Sequence, residues 1–323
     1  MSEEPPTAPH QNAHARIEKL SGGIAIVTGG ASGIGYALVE AAITRGMHGV
    51  IADIETKAID LAEENLSAAA KAAGVKLLGC SVDVSSEESV TALEKAITNE
   101  FPDTPISMLC CNAGVGGGGG VLTARDIDWD FVIGVNVKGV ANCVRTFVPK
   151  MLSQRAPGAI VTTSSQDGIC CAQGVYGVTK HACVALTEAL YNEVHGALSV
   201  HVLCPNAVAT NIVTSERNRP ERYGGVAKEN RPSDTKAHPI AERFKAFGMA
   251  PSRCADLVFD AIQSGEFYIL AEALDDPGYV HLEAETRMKA MLNKGLPFRP
   301  KSELLAKVFD PRIPLPELSL IHI

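Results

Sequence analysis

One doubly wound α/β domain, a parallel sheet with helices on both faces, is the architecture that three features of the sequence predict. Short β-branched runs alternate strictly with stretches of helical period, the runs are apolar almost throughout, and 323 residues suit one such domain with its core. Alternation of strand and helix implies crossover connections and hence parallel pairing, and strands covered on both faces have no polar side to show.

In chain order, residues 1–19 are polar and proline-containing, without apolar periodicity to offset the entropy of ordering, and read as a flexible arm. The domain then spans about 20–296. IAIVT is the first strand, followed by a helix over 33–45; GVIAD leads to a helix over 57–73, and KLLGCSVDV to one over 87–100. ISMLCCNAG precedes a long helical region that runs through Lys150. GAIVTTSS leads to a helix over about 175–194, and LSVHVLCP is the sixth strand. From 210 to about 250 the pattern gives way to irregular sequence rich in proline, glycine and charge, before a capped helix over 252–263 and the strand FYILA. The tail, 297–323, is proline-spaced and ends in the apolar LSLIHI, for which the sequence names no packing partner.

A net charge of -8, with 20% charged and 46% hydrophobic residues, fits a soluble globular protein and argues against nucleic-acid or anionic-membrane partners. The nine cysteines lack metal-ligand spacing, and several (Cys80, Cys110, Cys111, Cys204) lie in apolar runs, so they read as reduced, buried thiols and no metal site is expected. Residues 1–20 contain no apolar core of a secretory signal, which together with the thiols sets the expectation of a cytoplasmic protein.

Directly after the first strand stands TGGASGIG, opening the first helix. Gly29, Gly33 and Gly35 permit a tight turn and close backbone approach, while the amides of Ser32, Gly33 and Ile34 at the helix N-terminus suit a pyrophosphate. The second strand ends in Asp53, placed to accept hydrogen bonds from ribose hydroxyls and to repel a 2′-phosphate. No Arg or Lys stands in the glycine loop, or after Asp53 until Lys57. A Rossmann-type site for NAD, in preference to NADP, is therefore expected. After the third strand, Asp83 and its neighbour Val84 face the adenine position, Asp83 either binding its amino group or capping the next helix.

Tyr176 and Lys180 are four residues apart on a helical stretch and project from one face. Tyrosine, with an ordinary pKa of about 10, becomes a workable proton acceptor when a nearby ammonium favours the phenolate. GAIVTTSSQDG brings serine hydroxyls to the end of the preceding strand, suited to hydrogen-bonding a substrate oxygen. Met alone, a Tyr and Lys pair on a helix is more often packing than chemistry. The ordered set TGxxxGxG, NAG (Asn112, Ala113, Gly114), Asn136 with Val137, a serine-bearing strand end and YxxxK resembles the short-chain dehydrogenase/reductase family over about 23–271.

That resemblance implies Tyr176 as acid/base, Lys180 lowering its pKa and holding the nicotinamide ribose, and Asn136 anchoring a water that links Lys180 to solvent. It implies Ser165, before Gly168, as the catalytic serine, although the usual spacing from the tyrosine lands near Thr163; Ser164 then points to the other side of the sheet. It also places Asn112, Ala113 and Gly114 along the adenosine ribose, and Pro205, Val208 and Thr210 at the carboxamide. Asn206 departs from the usual Pro-Gly, either as a turn residue tolerant of left-handed backbone or as a selectivity residue.

The expected substrate pocket takes the loop 114–121, the stretch 166–173 with Gln166, Asp167, Gln173 and the Cys170–Cys171 pair, Asn206, Ile212, and a lid over about 210–250. Small and apolar, it suits a bulky hydrophobic secondary alcohol or its ketone, interconverted by hydride transfer. GVNVKGVANCVRTFVPKM and NIVTSERNRPERYGG are similar to stretches of bacterial dehydrogenases acting on benzylic alcohols of lignin-derived aryl ethers. The alternative is a catalytically idle NAD-binding regulator or scaffold, against which stands the presence of all four residues Asn136, Ser165, Tyr176 and Lys180. The resemblance further implies a homodimer or homotetramer, paired through the helices carrying Asn136 and Tyr176.

Overall fold

A computed structural model describes residues 17–194, 196–226, 239–273, 276–313 and 315. Most of the arm 1–19, the middle of the expected lid and the LSLIHI end of the tail lie outside the described residues. Seven strands, β1 (Ile24–Thr28), β2 (His48–Asp53), β3 (Leu77–Ser81), β4 (Ile106–Cys111), β5 (Ala159–Thr163), β6 (Ser199–Pro205) and β7 (Tyr268–Ala271), form one parallel sheet. Its order, β3-β2-β1-β4-β5-β6-β7, reverses direction between β1 and β4, so the strand ends there open a crevice.

Successive strand residues serve opposite faces. Ala25, Val27, Ile51 and Val161 pack under the helices α1 (Gly33–Thr44), α2 (Thr56–Ala73) and α8 (Pro251–Ser264). Ile24, Ile26, Val50 and Ile160 pack under α3 (Glu87–Glu100), α5 (Gly139–Ser153) and α6 (Gly174–Val194). The edge strand β3 is only half-buried and stops at Ser81, shorter than the apolar run KLLGCSVDV suggests, because Ser85 N–H turns back onto Asp83 Oδ1 at 3.0 Å.

The long helical region before Lys150 is broken in an instructive place. Helix α4 (Asp126–Ile133) passes through a π-helical turn, Gly134–Lys138, before continuing as α5. The widened turn carries Asn136. Helix α8 begins with Pro251, one residue before the expected start, and its N-cap, Ala250, makes no side-chain bond.

After β6 the described chain forms two short 3-10 turns, Ile212–Asn218 and Glu221–Tyr223, then α7 (Pro239–Phe247). Beyond β7 come two helices with no counterpart in the sequence reading, α9 (Tyr279–Leu292) and α10 (Glu303–Phe309). Ser302 caps α10 by accepting Leu305 N–H at 2.9 Å, and the Arg243 guanidinium of α7 donates to the carbonyls of Lys307, Val308 and Ile313. The first part of the tail is thus folded onto the domain.

Candidate active site

Above the ends of β1, β4 and β5 lies a cavity of about 720 Å³. The residues singled out from the sequence for cofactor and catalysis line it except Gly35 and Asn136, which act from behind its wall, and of the expected substrate pocket Gln166, Asp167, Gln173, Asn206 and Ile212 line it.

The end of the cavity at the glycine loop is shaped by backbone. A Cβ on Gly35 would stand 2.0 Å from the Gly29 carbonyl oxygen, and one on Gly33, at φ +55°, would stand 2.9 Å from Thr210 Cγ2. Asn112 fastens the loop from the next strand: its Nδ2 donates to the carbonyls of Thr28 (3.0 Å) and Gly29 (3.3 Å), and its N–H to Thr28 Oγ1 (3.0 Å). Ser32 makes no side-chain bond to α1, whose first turn carries no acidic residue. This cradle, with no room for a β-carbon, fits a pyrophosphate approaching helix amides.

Asp53 is nearly buried and oriented by Ala31 N–H (3.1 Å) and Glu55 N–H (3.1 Å). Burial raises its pKa, against those hydrogen bonds. Asp83 does not cap α3; Ser86 does, accepting Ser89 N–H at 3.2 Å. Asp83 instead receives Arg222 at 2.5 Å. Arg217 and Asn218 reach Glu55 in the same way, and Arg219 is buried between Asp128 and Glu216 over the Phe131 ring. The chain after β6 therefore crosses the side of the crevice above β2 and β3, tied to residues beyond those strands.

At the other end, α6 presents Tyr176 and Lys180. The Tyr176 phenol faces the Ser165 side chain, and Lys180 Nζ lies 5.6 Å from its ring centroid, donating to the Thr163 carbonyl at 3.0 Å. The three neighbouring hydroxyls divide: Thr163 donates to Asn112 Oδ1 (3.1 Å), Ser164 donates to the Lys180 carbonyl (2.8 Å), and Ser165 faces Tyr176. Burial pushes the phenol up, the Asp167 charge adds to this, and the Ser165 hydroxyl opposes it; burial pushes the Lys180 ammonium down. Asn136 holds Val115 on both sides, donating to its carbonyl (3.0 Å) and accepting its N–H (2.8 Å), while donating to Thr179 Oγ1 on α6 (3.0 Å).

Some expectations for the pocket need correction. Gly118 to Val121 do not line it, since the loop turns down against the start of α6, where Gly119 accepts Val175 N–H. Cys170 and Cys171 are also absent from its wall: Cys170 is buried against Asp167, and the Cys171 thiol donates to the Phe298 carbonyl. Asn206 is not left-handed; its Oδ1 accepts Ala207 N–H at 2.7 Å, and its Nδ2 is buried without a partner among the described residues. The sequence reading missed Phe244, Tyr279, Arg299, Leu305 and Phe309, all in the cavity wall. The one local signal was the Ser302 cap before ELLAKVF, which marks α10.

The model of a family described as short chain dehydrogenase matches residues 23–221. The C alpha-dehydrogenase of a Sphingobium species is 30% identical over 252 residues, 76% of this chain and 79% of its own. A dehydrogenase/reductase of CLA biosynthesis from Lactiplantibacillus plantarum is 27% identical, over 85% of this chain and 94% of its own. The crystal structure of a short-chain dehydrogenase/reductase from Burkholderia phymatum, solved with NAD, superposes with a TM-score of 0.76 at 33% identity, covering 88% of this chain and 99% of that one. With the sheet order, the glycine cradle and the Tyr176–Lys180 pair, these matches place the chain in the short-chain dehydrogenase/reductase family of oxidoreductases.

Proposed function

We propose that the protein is an NAD-dependent dehydrogenase interconverting a bulky, largely hydrophobic secondary alcohol and its ketone. The observation carrying this reading is that Ser165, Tyr176 and Lys180 meet on the cavity wall, with the Lys180 ammonium 5.6 Å from the Tyr176 ring centroid. Bound nicotinamide supplies the hydride acceptor for oxidation and the donor for reduction. Tyr176 as phenolate takes the proton of the carbinol hydroxyl, and as phenol returns it. Ser165 hydrogen-bonds the substrate oxygen and holds it against Tyr176. Lys180 offsets the phenolate charge and binds the ribose, and Asn136 keeps the 115 loop and α6 in register. The walls of Phe244, Tyr279, Leu305 and Phe309, and the kinship with a C alpha-dehydrogenase, support an aryl secondary alcohol. Turnover of a benzylic alcohol panel, followed by the absorbance of reduced cofactor, tests this reading. The same reading has it cytoplasmic, and a homodimer or homotetramer paired through α5 and α6.

NAD in preference to NADP rests on Asp53. Asp53→Ser is expected to weaken NAD binding by roughly tenfold, as loss of a charged hydrogen-bond acceptor does, and to narrow the gap to NADP. Fluorescence titration with NADH and NADPH reads both changes; an unchanged ratio would remove Asp53 as the discriminator.

A further inference from the structure

The chain beyond β7, outside the stretch matched by the family model, brings charge to this site. Asp167 lies two residues after Ser165, in the 3-10 turn Gln166–Gly168, and its N–H donates to Ser165 Oγ at 3.1 Å. Its carboxylate pairs with Arg299 at 2.8 Å. Arg299 Nε donates to Glu283 Oε1 at 2.5 Å, and the Tyr279 hydroxyl lies 2.7 Å from the same oxygen. Glu283 is 1% exposed, so its charge needs this partner. The Cys171 thiol to the Phe298 carbonyl (3.1 Å) and Arg287 to the Ile169 carbonyl (3.5 Å) hold the same turn.

Around Tyr176 stand Lys180 and Cys183 from its own helix, Ser165 from the end of β5, and Asp167 from the turn. Around Asp167 stand Arg299, the Cys170 thiol and, across Arg299, Glu283. The Asp167 carboxylate opposes negative charge on the phenol oxygen, and the Arg299 guanidinium paired with that carboxylate carries the opposite charge.

We propose that Arg299 is a positioning residue of the active site: docked between Asp167 and Glu283, it fixes the turn that holds Ser165 and neutralises the carboxylate facing Tyr176. The segment from α9 to α10 is then part of the catalytic site. The inference rests on Tyr176 as acid/base.

The test follows tyrosinate formation at Tyr176 by ultraviolet difference absorbance, each enzyme being read against its own Tyr176→Phe counterpart, with saturating NAD and without. In Arg299→Met the phenol is expected to titrate about one pH unit higher. Asp167→Asn/Arg299→Met should return it to the wild-type value or below, and Arg299→Lys should leave it near wild type. Asp167→Asn alone, which keeps the Arg299–Glu283 pair, should lower it and serves if Arg299→Met does not fold. An unshifted titration in folded Arg299→Met, or in Asp167→Asn, overturns the proposal, as does a double variant that stays shifted. Full turnover in Tyr176→Phe brings down the acid/base reading and this proposal together; unshifted titration with Tyr176→Phe inactive overturns this proposal alone.

Discussion

Replacing Tyr176 by Phe is expected to cut turnover by about 10²- to 10⁴-fold, the usual contribution of a positioned acid/base, while NADH affinity stays within about twofold. The phenol oxygen is the one atom removed, and it faces Ser165, not the glycine cradle that Asn112 fastens. The same geometry fixes a pH dependence. Burial, and then the Asp167 charge, raise the phenol's pKa, so the phenolate fraction grows with pH through neutrality and beyond. Alcohol oxidation uses the phenolate and should climb with pH; ketone reduction uses the phenol and should not. Initial rates in both directions check this, and an oxidation rate independent of pH would contradict the assignment.

The second large effect is expected at Gly35. A methyl group there meets the Gly29 carbonyl oxygen at 2.0 Å and Asn112 Nδ2 at 2.7 Å, so the loop must move and the bonds from Asn112 to Thr28 and Gly29 must stretch. Gly35→Ala should cost about 1–3 kcal/mol of stability and lower NADH affinity at least tenfold, because the displaced atoms form the cradle. Gly74→Ala is the control: its backbone is also left-handed, φ +70°, but nothing lies within 4 Å, so stability falls with affinity unchanged. Thermal melts and NADH fluorescence separate the two effects; equal affinity in both variants would show that the loop does not hold the dinucleotide.

What the sequence made legible was local. The glycine loop follows its strand directly, Asp53 ends the next strand, and Tyr176 and Lys180 share one helix face, so periodicity and spacing carried them. The apolar runs named all seven strands, and alternation gave the parallel sheet. Arg299 and Tyr279 were not legible, since they reach the cavity only because α9 and the segment after it fold back over the turn after β5, a placement without local signature. The glycine run misled in part for the opposite reason: glycines 118–120 suggested an open pocket wall, but contact with Val175 and Gly174 directs them away. Asn206 looked like a left-handed turn residue, yet a bond from its own Oδ1 to the next amide shapes the turn.

Hydride transfer between NAD and a secondary alcohol, with Tyr176 in charge of the proton, is the proposed chemistry. The most direct measurement mixes the purified protein with NAD and a panel of bulky aryl secondary alcohols, and records the absorbance of reduced nicotinamide for wild type and Tyr176→Phe. Alcohol-dependent reduction of NAD is expected from the wild type and lost in the variant. NAD bound tightly by both, with no reduction by any alcohol and no oxidation of NADH by any ketone, would contradict it and mark the protein as a dinucleotide-binding regulator.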